Sequence, residues 1–369
     1  KQTEETFIEV RKRRIPELEG KIQQCCELLI GRQVYSQEII KNDLGDLFFL
    51  YHDTYGLPLE TIVATARQVI GDGYEREIED ALEVYNNKMR VQQQRSRVAS
   101  KMTGDVFTGG ELDLDVSKTQ FNGYEQTQGV STILRLFINN QKVKEVSKGD
   151  QVQVVLDKTP FYAESGGQIG DTGHLIGKKG KVRVEDTQKI NDVYVHRGVV
   201  EEGLLRVDET VETTIDAERR LAIMRHHTAT HLLQAALREV LGKHVQQQGS
   251  LVAEDRLRFD FSHPKAISKE EIKRIEDRVS ENVAAGIPVQ KEVLGIEEAK
   301  EKGALAFFAE KYGDKVRVVS IGDVSKEFCG GTHLTNTSEI GTFKIASEGA
   351  VAQGIRRLEA KTGKEAELF

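Results

Sequence analysis

The sequence has 369 residues, 38% of them hydrophobic and 30% charged, which is typical of a globular protein long enough for two or three domains. Its formal net charge of −7 argues against binding nucleic acid through overall positive charge, but it leaves room for a local basic face. No apolar run is long enough to span a bilayer and no N-terminal signal pattern is visible, so we expect no membrane partner.

Cysteine usage predicts the cellular compartment. The three cysteines are Cys25, Cys26 and Cys329, two of them adjacent and one distant. They do not make a disulfide framework, so the sequence predicts a protein of the reducing cytoplasm. The chain begins with Lys1, inside a helical pattern, which predicts a fragment of a longer protein.

Residues 1–104 are predicted to form a helical region that includes a long polar helix over 72–101. Acidic residues come first in that helix and basic residues last, and this order complements the helix dipole. A second interpretation is that the basic half, together with residues 11–14, faces phosphates. Charge runs are usually solvated faces, so the pattern alone favours the first interpretation. The second one assigns phosphate contacts to Arg11, Lys12, Arg13, Arg14, Arg95 and Arg97.

Residues 105–214 contain short β-rich runs separated by glycine, asparagine and aspartate turns, which predict a small barrel or an open sheet. A glycine-rich loop lies at 159–173 within this region. Such a loop exposes backbone N–H groups and permits close approach of a phosphate or a sugar. The alternative is a pair of tight turns that closes the barrel. The loop does not match the dinucleotide-binding fingerprint.

Residues 215–369 alternate helices with strands. A helix is predicted over 216–242, and a second one begins with a capping box made by Ser268 and Glu271. An antiparallel sheet with helices on one face is the simplest architecture for this region. The predicted fold class is therefore α+β: a helical region, a small β-barrel and an α+β core.

Two short segments carry soft metal ligands, His227-Thr-Ala-Thr-His231 and Cys329-Gly-Gly-Thr-His333. Residues four apart on a helix lie on one face with Cβ atoms roughly 5–6 Å apart, so the first two rings can reach one ion. The Gly-Gly turn of the second segment allows its thiolate and imidazole to point the same way. Each pair alone is a weak signal, but together they complete a set that suits tetrahedral zinc.

The order and spacing of several stretches resemble the middle portion of a bacterial-type alanyl-tRNA synthetase, over essentially the whole chain. The stretches are Tyr51-His-Asp-Thr-Tyr-Gly-Leu-Pro58, Pro160-Phe-Tyr-Ala-Glu-Ser-Gly-Gly-Gln-Ile-Gly170, His227 to His231, Leu257-Arg-Phe-Asp-Phe-Ser-His263, Glu310-Lys-Tyr-Gly-Asp314, Cys329 to His333, and Gly354-Ile-Arg-Arg-Leu-Glu-Ala360. The resemblance implies a tRNA-recognition region at 1–104, a barrel subdomain at 105–214 and a zinc-binding editing core at 215–369. It also implies that the aminoacylation core and the C-terminal domain are absent.

The resemblance implies roles for individual residues. His227, His231, Cys329 and His333 match the zinc ligands of the family one for one. Of the remaining positions, Thr230 matches a threonine that shapes the amino-acid pocket.

Further positions match residues that line the site or contact tRNA. Gln247 matches a glutamine that lines the same pocket, and Asp53 matches an aspartate implicated in reading the acceptor-stem G·U pair of tRNA(Ala). His52 stands where the family would have a tyrosine, a mild departure. A glycine-rich segment near the tRNA 3′ end is matched by Ser165, Gly166, Gly167, Gln168 and Asp171.

The family's editing substrates, tRNA(Ala) charged with serine or glycine, imply hydrolysis of an ester at the 3′-terminal ribose. We hypothesise that Thr230 and Gln247 hydrogen-bond the amino acid or the water, while the metal sets the pocket. Four protein ligands leave no open position, as in structural zinc sites. The sequence therefore leaves open whether the metal activates water, acts as a Lewis acid or orients the substrate.

Three other interpretations compete with editing within a synthetase. They are a tRNA-binding module with a purely structural zinc, a freestanding editing deacylase, and a metal-dependent hydrolase of a small molecule. The helical region around Asp53 argues against the second, and the absence of a His-Glu-x-x-His motif argues against the third. We expect a monomeric, cytoplasmic chain whose partner is the acceptor stem and 3′ end of tRNA(Ala), with no DNA partner.

Overall fold

The computed structural model describes most of the chain and divides it into two compact units, Lys1–Val106 and Phe107–Phe369. The described residues are 14–25, 37–53, 57, 59–71, 74–100, 112, 114–116, 118–305, 315–352 and 354–369. Of these, 37–41, 53 and 90–100 are described for their backbone alone. The stretch 310–314, one of those that carry the family resemblance, lies outside the described residues. The boundary between the barrel and the editing core at 214/215 stays a prediction.

The first unit is helical in its described part, as predicted. Its helices are α1 (residues 14–25), α2 (Gln37–Asp53), α3 (Leu59–Ile70) and α4 (Glu75–Ser100). They surround one apolar cluster, in which Phe48, Tyr51 and Ile62 are fully buried. The long polar helix expected over 72–101 is α4. In the part whose side chains are described, residues 75–89, it buries only a narrow stripe.

The second unit opens with a closed β-barrel, which decides between the two predicted alternatives. Its strands are β1 (Gln120–Phe121), β2 (Gln128–Ile138), β3 (Gln141–Val143), β4 (Glu145–Ser147), β5 (Gln151–Leu156), β6 (Lys158–Thr159), β7 (Gly173–Ile176), β8 (Gly180–Ile190), β9 (Val193–Arg206) and β10 (Thr210–Ile215). Six of them pair in the order β10-β7-β8-β9-β5-β2, and β10 pairs again with β2 to complete the ring. The short strands β1, β3, β4 and β6 lie outside this ring.

The α+β core follows, with two antiparallel sheets where the sequence predicted one. The strands are β11 (Gln247–Val252), β12 (Leu257–Ser262), β13 (Val289–Gly295), β14 (Lys315–Ile321), β15 (Ser325–Phe328), β16 (Phe343–Ala352) and β17 (Ile355–Thr362). One sheet has the order β11-β12-β17-β16 and the other has the order β13-β14-β15. The helices are α5 (Ala217–Leu241), α6 (Lys269–Ala284), α7 (Ile296–Glu301) and α8 (Lys364–Glu367), with a 3-10 turn at Thr337–Ile340. None of the helices in the described ranges is long and apolar enough to cross a membrane.

Local signals place the two long core helices where the sequence predicted them. The side chain of Asp216 caps α5 by accepting from the Arg219 N–H at 2.9 Å, and Gly242 ends it at φ 116°. The Ser268 hydroxyl accepts from the Glu271 N–H at 3.1 Å, while the Glu271 carboxylate accepts from the Ser268 N–H at 2.8 Å. This is the predicted capping box of α6.

A buried ion pair joins the start of α5 to the barrel. The Arg220 guanidinium contacts the Asp171 carboxylate, and it also donates to the carbonyl oxygens of Gly123 at 2.7 Å and Pro160 at 3.0 Å. Asp171 accepts a further bond from the Tyr162 N–H at 2.7 Å. Both charged side chains are almost fully buried, so each depends on the other for its solvation.

We predict that Asp171→Ala lowers the free energy of unfolding by about 3–5 kcal/mol, because it leaves the Arg220 charge buried without a counterion. Urea unfolding followed by circular dichroism measures the loss. The matched control is Asp255→Ala, which removes an exposed pair with Arg256 and should change stability by less than about 1 kcal/mol. Equal losses in the two variants would contradict a structural role for the buried pair.

A second buried polar group makes the barrel sensitive to acid. His196 on β9 is fully buried, and its Nδ1–H donates to the Val154 carbonyl at 3.0 Å while Nε2 accepts from the Thr159 hydroxyl at 2.8 Å. Burial lowers the pKa of His196 from 6.5 to about 4. The neutral ring therefore stabilises the fold above pH 6.5, and this contribution is lost as the pH falls towards 4.

We expect acidification from about pH 7 to about pH 5 to remove about 2 kcal/mol of stability through His196 alone. The comparison variant is His196→Gln, which can donate to Val154 and accept from Thr159 but does not titrate. Urea unfolding at both pH values should show the variant losing about 2 kcal/mol less than the wild type. Parallel losses in the two proteins would refute this assignment.

Candidate metal centre

The four predicted ligands converge at one point in the core. One ligand atom from each of His227, His231, Cys329 and His333 lies within 4.8 Å of the other three. The Cys329 Sγ atom lies 3.4 Å from His227 Nε2 and 3.1 Å from His333 Nε2. The three imidazoles are buried and Cys329 is half-buried. The structure therefore brings together the two segments that the sequence proposed.

Local geometry explains how each segment presents its ligands. His227 and His231 are one helical turn apart on α5 and therefore lie on the same face of the helix. Their rings are parallel, with an interplanar angle of 1° and centroids 5.7 Å apart. The second segment begins where β15 ends at Phe328. There, Gly331 packs so closely on the His227 ring that an added Cβ would collide with it. Glycine is required at this position for the close approach.

Hydrogen bonds from outside the cluster orient the histidine rings. Nδ1 of His227 lies 2.7 Å from the Gln168 side-chain oxygen, and Nδ1 of His231 lies 2.6 Å from a Glu327 carboxylate oxygen. Because these oxygens accept, both rings carry a proton on Nδ1 and leave Nε2 facing the cluster. Nδ1 of His333 approaches the Thr228 hydroxyl more loosely, at 3.4 Å.

The electrostatics of the cluster suit a cation. Burial alone would raise the pKa of the Cys329 thiol, but the neighbouring His227 and His333 outweigh it and hold that pKa well below its ordinary value. Burial likewise opposes protonation of His231, yet the Glu327 carboxylate raises the pKa of His231 to about 10. The cluster therefore gathers negative charge on the Cys329 thiolate and on the Glu327 carboxylate beside His231. A metal ion can neutralise this charge in place of the proton that His231 otherwise holds.

The donor set fits a metal ion of the zinc type. His231 Nε2 is buried and makes no hydrogen bond of ordinary geometry within the described residues. A buried nitrogen of this kind is costly unless something occupies its lone pair. Ligands of one tetrahedral zinc lie about 3.3–3.7 Å apart. The Sγ–Nε2 separation of 3.4 Å to His227 falls in that range, and the 3.1 Å separation to His333 is slightly shorter. The residues thus can hold a metal with three nitrogens and one sulfur.

The glycine-rich loop of the barrel reaches this centre. Gly167 and Ile169 pair with the edge strand β11, through the Val252 N–H to the Gly167 carbonyl at 2.7 Å and the Ile169 N–H to the Val252 carbonyl at 3.2 Å. Gly166 and Gly167 have φ of 60° and 87°, which favours glycine. Ser165 and Gly166 are exposed while Gln168 and Asp171 are buried, so only part of the loop can meet a ligand.

Thr230 and Gln247 lie near the centre but outside it. The Thr230 hydroxyl donates to the His226 carbonyl at 2.8 Å, which leaves its oxygen as an acceptor. Gln247, half-buried at the start of β11, donates from Nε2 to the Ser250 hydroxyl at 3.2 Å. Ser250 in turn packs against Gly167 of the glycine-rich loop. Their roles toward a substrate stay predictions.

The residues predicted to bind tRNA belong to the helical unit. Arg11, Lys12 and Arg13 lie outside the described residues. Arg14 pairs with Glu17 at 2.7 Å, Asp53 is the last residue of α2, and Arg95 and Arg97 belong to the C-terminal half of α4. Their contacts with tRNA stay predictions.

Sequence reasoning missed several residues that support the centre, chiefly Glu327 and Thr228. It also missed a clamp on the Gly-Gly turn: the Tyr124 hydroxyl donates to the Gly330 carbonyl at 2.6 Å, and the Arg317 guanidinium lies 4.2 Å from the centroid of the Tyr124 ring. Arg317 itself donates to the carbonyls of Cys329 at 2.9 Å and Gly331 at 2.8 Å. Nothing in the local pattern of these residues distinguishes them from surface polar groups.

Comparison with known families adds an independent finding. Residues 28–219 match the family described as tRNA synthetases class II (A), and residues 316–359 match the Threonyl and Alanyl tRNA synthetase second additional domain. The first match covers the described helices α2–α4 and the barrel, and the second includes Cys329 and His333.

Individual relatives agree with these family matches. An alanine–tRNA ligase of Roseiflexus castenholzii is 46% identical over 352 residues, 88% of this chain and 38% of the relative. That of Leptospira biflexa is 47% identical over 86% of this chain and 34% of the relative. The corresponding figures for Acetivibrio thermocellus are 48%, 87% and 36%. The chain thus spans a little over a third of the length of the curated relatives it matches.

The lowered pKa of Cys329 makes a prediction about its reactivity. In the metal-free folded chain, the rate of Cys329 alkylation by iodoacetamide should rise less between about pH 7 and pH 9 than in an unfolded chain, because a lowered pKa means that more of the thiol is already ionised at pH 7. An ordinary thiol gains more than about tenfold over that range. Mass spectrometry of the Cys329 peptide measures the rate, and the same chain unfolded in urea is the control. A folded protein with the pH dependence of the unfolded one would contradict the prediction.

Proposed function

The chain belongs to the class II tRNA synthetases and, within them, to the alanine–tRNA ligases; from this premise we propose that residues 107–369 are an editing deacylase. The substrates in this proposal are tRNA(Ala) wrongly charged with serine or glycine. The observation that carries it is the buried cluster of His227, His231, Cys329 and His333, assembled from α5 and the turn after β15.

The proposed metal is zinc, because three imidazoles and one thiolate form a borderline-soft, four-ligand set. When bound, zinc supplies Lewis-acid polarisation of the ester carbonyl or a fixed template for the substrate. The chain's own residues prepare for it: Gln168 and Glu327 keep protons on the outer nitrogens of His227 and His231. The inner nitrogens are then available as ligands.

The proposed reaction is hydrolysis of the ester between the amino acid and the 3′-terminal ribose. Water adds to the ester carbonyl, the bond from that carbon to the ribose oxygen breaks, and the ribose oxygen takes up a proton. The products are the free amino acid and uncharged tRNA. Gln247, oriented by its bond to Ser250, is placed in this proposal to hydrogen-bond the amino acid or the water.

Selection of serine is assigned to Thr230. Its hydroxyl proton is engaged by the His226 carbonyl, so the Thr230 oxygen can accept a hydrogen bond from the serine hydroxyl. A site built to pair with a hydroxyl penalises an analogue that lacks one, such as alanine. Glycine would enter this pocket through its small size.

The proposed partner is the acceptor stem and 3′ end of tRNA(Ala). In this proposal Asp53 reads the acceptor stem, and the basic residues of the helical unit contact phosphates, including Arg95 and Arg97 of α4. With a net charge of −7, affinity depends on such local basic faces and weakens as salt rises. A cytoplasmic, monomeric chain remains part of the proposal.

One observation favours a second candidate, a tRNA-binding module whose metal is structural. All four metal positions are filled by protein side chains, as in structural zinc sites, whereas catalytic zinc usually keeps one position open. That candidate predicts tRNA binding without ester hydrolysis. A freestanding editing deacylase is less compatible with the chain, because the class II synthetase match extends through the helical unit from residue 28.

We expect the purified chain, loaded with zinc, to hydrolyse Ser-tRNA(Ala) and to spare Ala-tRNA(Ala). Thr230→Val should lower kcat/KM for Ser-tRNA(Ala) by about tenfold or more, because the methyl group that replaces the hydroxyl cannot accept a hydrogen bond. Release of radiolabelled amino acid from each tRNA, followed over time, gives the rates.

Hydrolysis by the wild type separates the two candidates, and variants of the cluster test whether that hydrolysis depends on the metal ligands. Cys329→Ala and His333→Ala should abolish hydrolysis, while His174→Ala, which removes a half-exposed barrel histidine, should leave it intact. Binding of tRNA by the wild type with no hydrolysis of Ser-tRNA(Ala) would favour the structural-metal candidate. A Thr230→Val protein that hydrolyses Ser-tRNA(Ala) at the wild-type rate would contradict the role assigned to Thr230 but would leave the proposed role of the metal unaffected.

A further inference from the structure

Gln168 is a barrel residue whose side chain lies fully buried between the two halves of the metal centre. Its side-chain oxygen accepts from the Thr332 backbone N–H at 2.9 Å and lies 2.7 Å from His227 Nδ1. Its side-chain nitrogen donates to the Thr332 hydroxyl at 2.9 Å. One amide therefore bridges the α5 segment and the segment that carries Cys329 and His333.

These bonds fix the orientation of the amide and the tautomer of His227. A backbone N–H can only donate, so the end of the amide that faces Thr332 N must be the oxygen. The same oxygen faces His227 Nδ1, which must then carry the ring proton. Nε2 of His227 is left with its lone pair directed toward Cys329 Sγ, 3.4 Å away.

The loop that carries Gln168 is held on both sides of the residue. On one side, the Ser165 carbonyl accepts from the Tyr162 hydroxyl and from the Gln168 N–H, both at 3.0 Å. On the other side, Ile169 pairs with β11, and Asp171 forms the buried ion pair with Arg220. These contacts limit the movement of the Gln168 backbone, so its side chain is held in one position between the two segments.

Residues of the second segment, Gly331 and Thr332, lie against the Gln168 side chain. An added Cβ on Gly331 would collide with the His227 ring and lie 2.9 Å from the Gln168 side-chain oxygen. Glycine at this position leaves room for the contact between Gln168 and His227. The bonds from Thr332 to Gln168 then tie the next residue of the segment to the same amide.

We propose that Gln168 is a positioning residue of the metal centre, through which the barrel sets the tautomer of His227 and fixes Thr332 between Cys329 and His333. The inference rests on the proposed metal site and adds that the metal affinity of the core depends on one residue of the barrel loop. Partners that orient metal-binding histidines typically change metal affinity by about 10- to 100-fold when they are removed.

The test measures zinc affinity of the full chain by competition with a chromophoric chelator. Gln168→Met keeps the length of the side chain but removes the acceptor, and should weaken zinc binding by about 10- to 100-fold. Gln168→Glu keeps an acceptor for both His227 Nδ1–H and Thr332 N–H, and the Thr332 hydroxyl can rotate to donate. It should stay within about tenfold of the wild type. The control is Gln248→Met, at an exposed position of β11.

A second readout tests geometry directly. Cobalt(II) bound in place of zinc should show an altered visible absorption spectrum in Gln168→Met and a spectrum close to the wild type in Gln168→Glu. Wild-type affinity in Gln168→Met would overturn the inference, and so would equal losses in the two variants, since shape rather than an acceptor would then matter. If Gln168→Met fails to fold, Gln168→Glu keeps the inference testable: a loss of zinc affinity well beyond about tenfold in the folded Gln168→Glu chain would overturn it. A wild-type chain that binds no zinc would instead refute the proposed metal site.

Discussion

The proposed metal centre depends on one constraint: His227 and His231 must carry protons on the nitrogens that point away from the cluster. Gln168 and Glu327 impose this on His227 and His231 by placing acceptor oxygens 2.7 and 2.6 Å from Nδ1. Without such acceptors, a ring could turn or shift its proton and present N–H to its neighbours, which would oppose metal binding. With Nδ1 engaged in this way, Nε2 of His227 and of His231 faces the cluster, where an ion can take the place of a proton.

This constraint explains why the barrel and the core are built as one unit. The Gln168 acceptor comes from the barrel, whereas Glu327 comes from β15 of the core. The Arg220–Asp171 pair fixes the beginning of α5 to the loop that carries Gln168. Buried ion pairs contribute little net stability compared with apolar packing, but they demand one geometry. Here that geometry aligns the α5 histidines with the loop that orients them.

Sequence patterns predicted the elements whose signals are local. The starts of α5 and α6 were predicted correctly because Asp216, Ser268 and Glu271 bond backbone groups within three residues. The predicted small β-barrel is confirmed, but its closure could not be derived from local signals, since it depends on β10 pairing with β2 about eighty residues earlier in the chain. The split of the core into two sheets was missed for the same reason: strand partners are set by packing, and β11 and β15 are short and rich in polar residues.

By itself, the sequence indicated the family through the order of several stretches. It also predicted the four candidate metal ligands, because residue type and a spacing of four within each segment are properties of the local chain. Only the tertiary structure decided what holds those ligands. Gln168 lies 59 residues from His227, and Glu327 lies 96 residues from His231. No periodicity relates positions so far apart. Their meeting follows from the pairing of the glycine-rich loop with β11 and of β15 with β14, which bury polar side chains beside the histidines they orient.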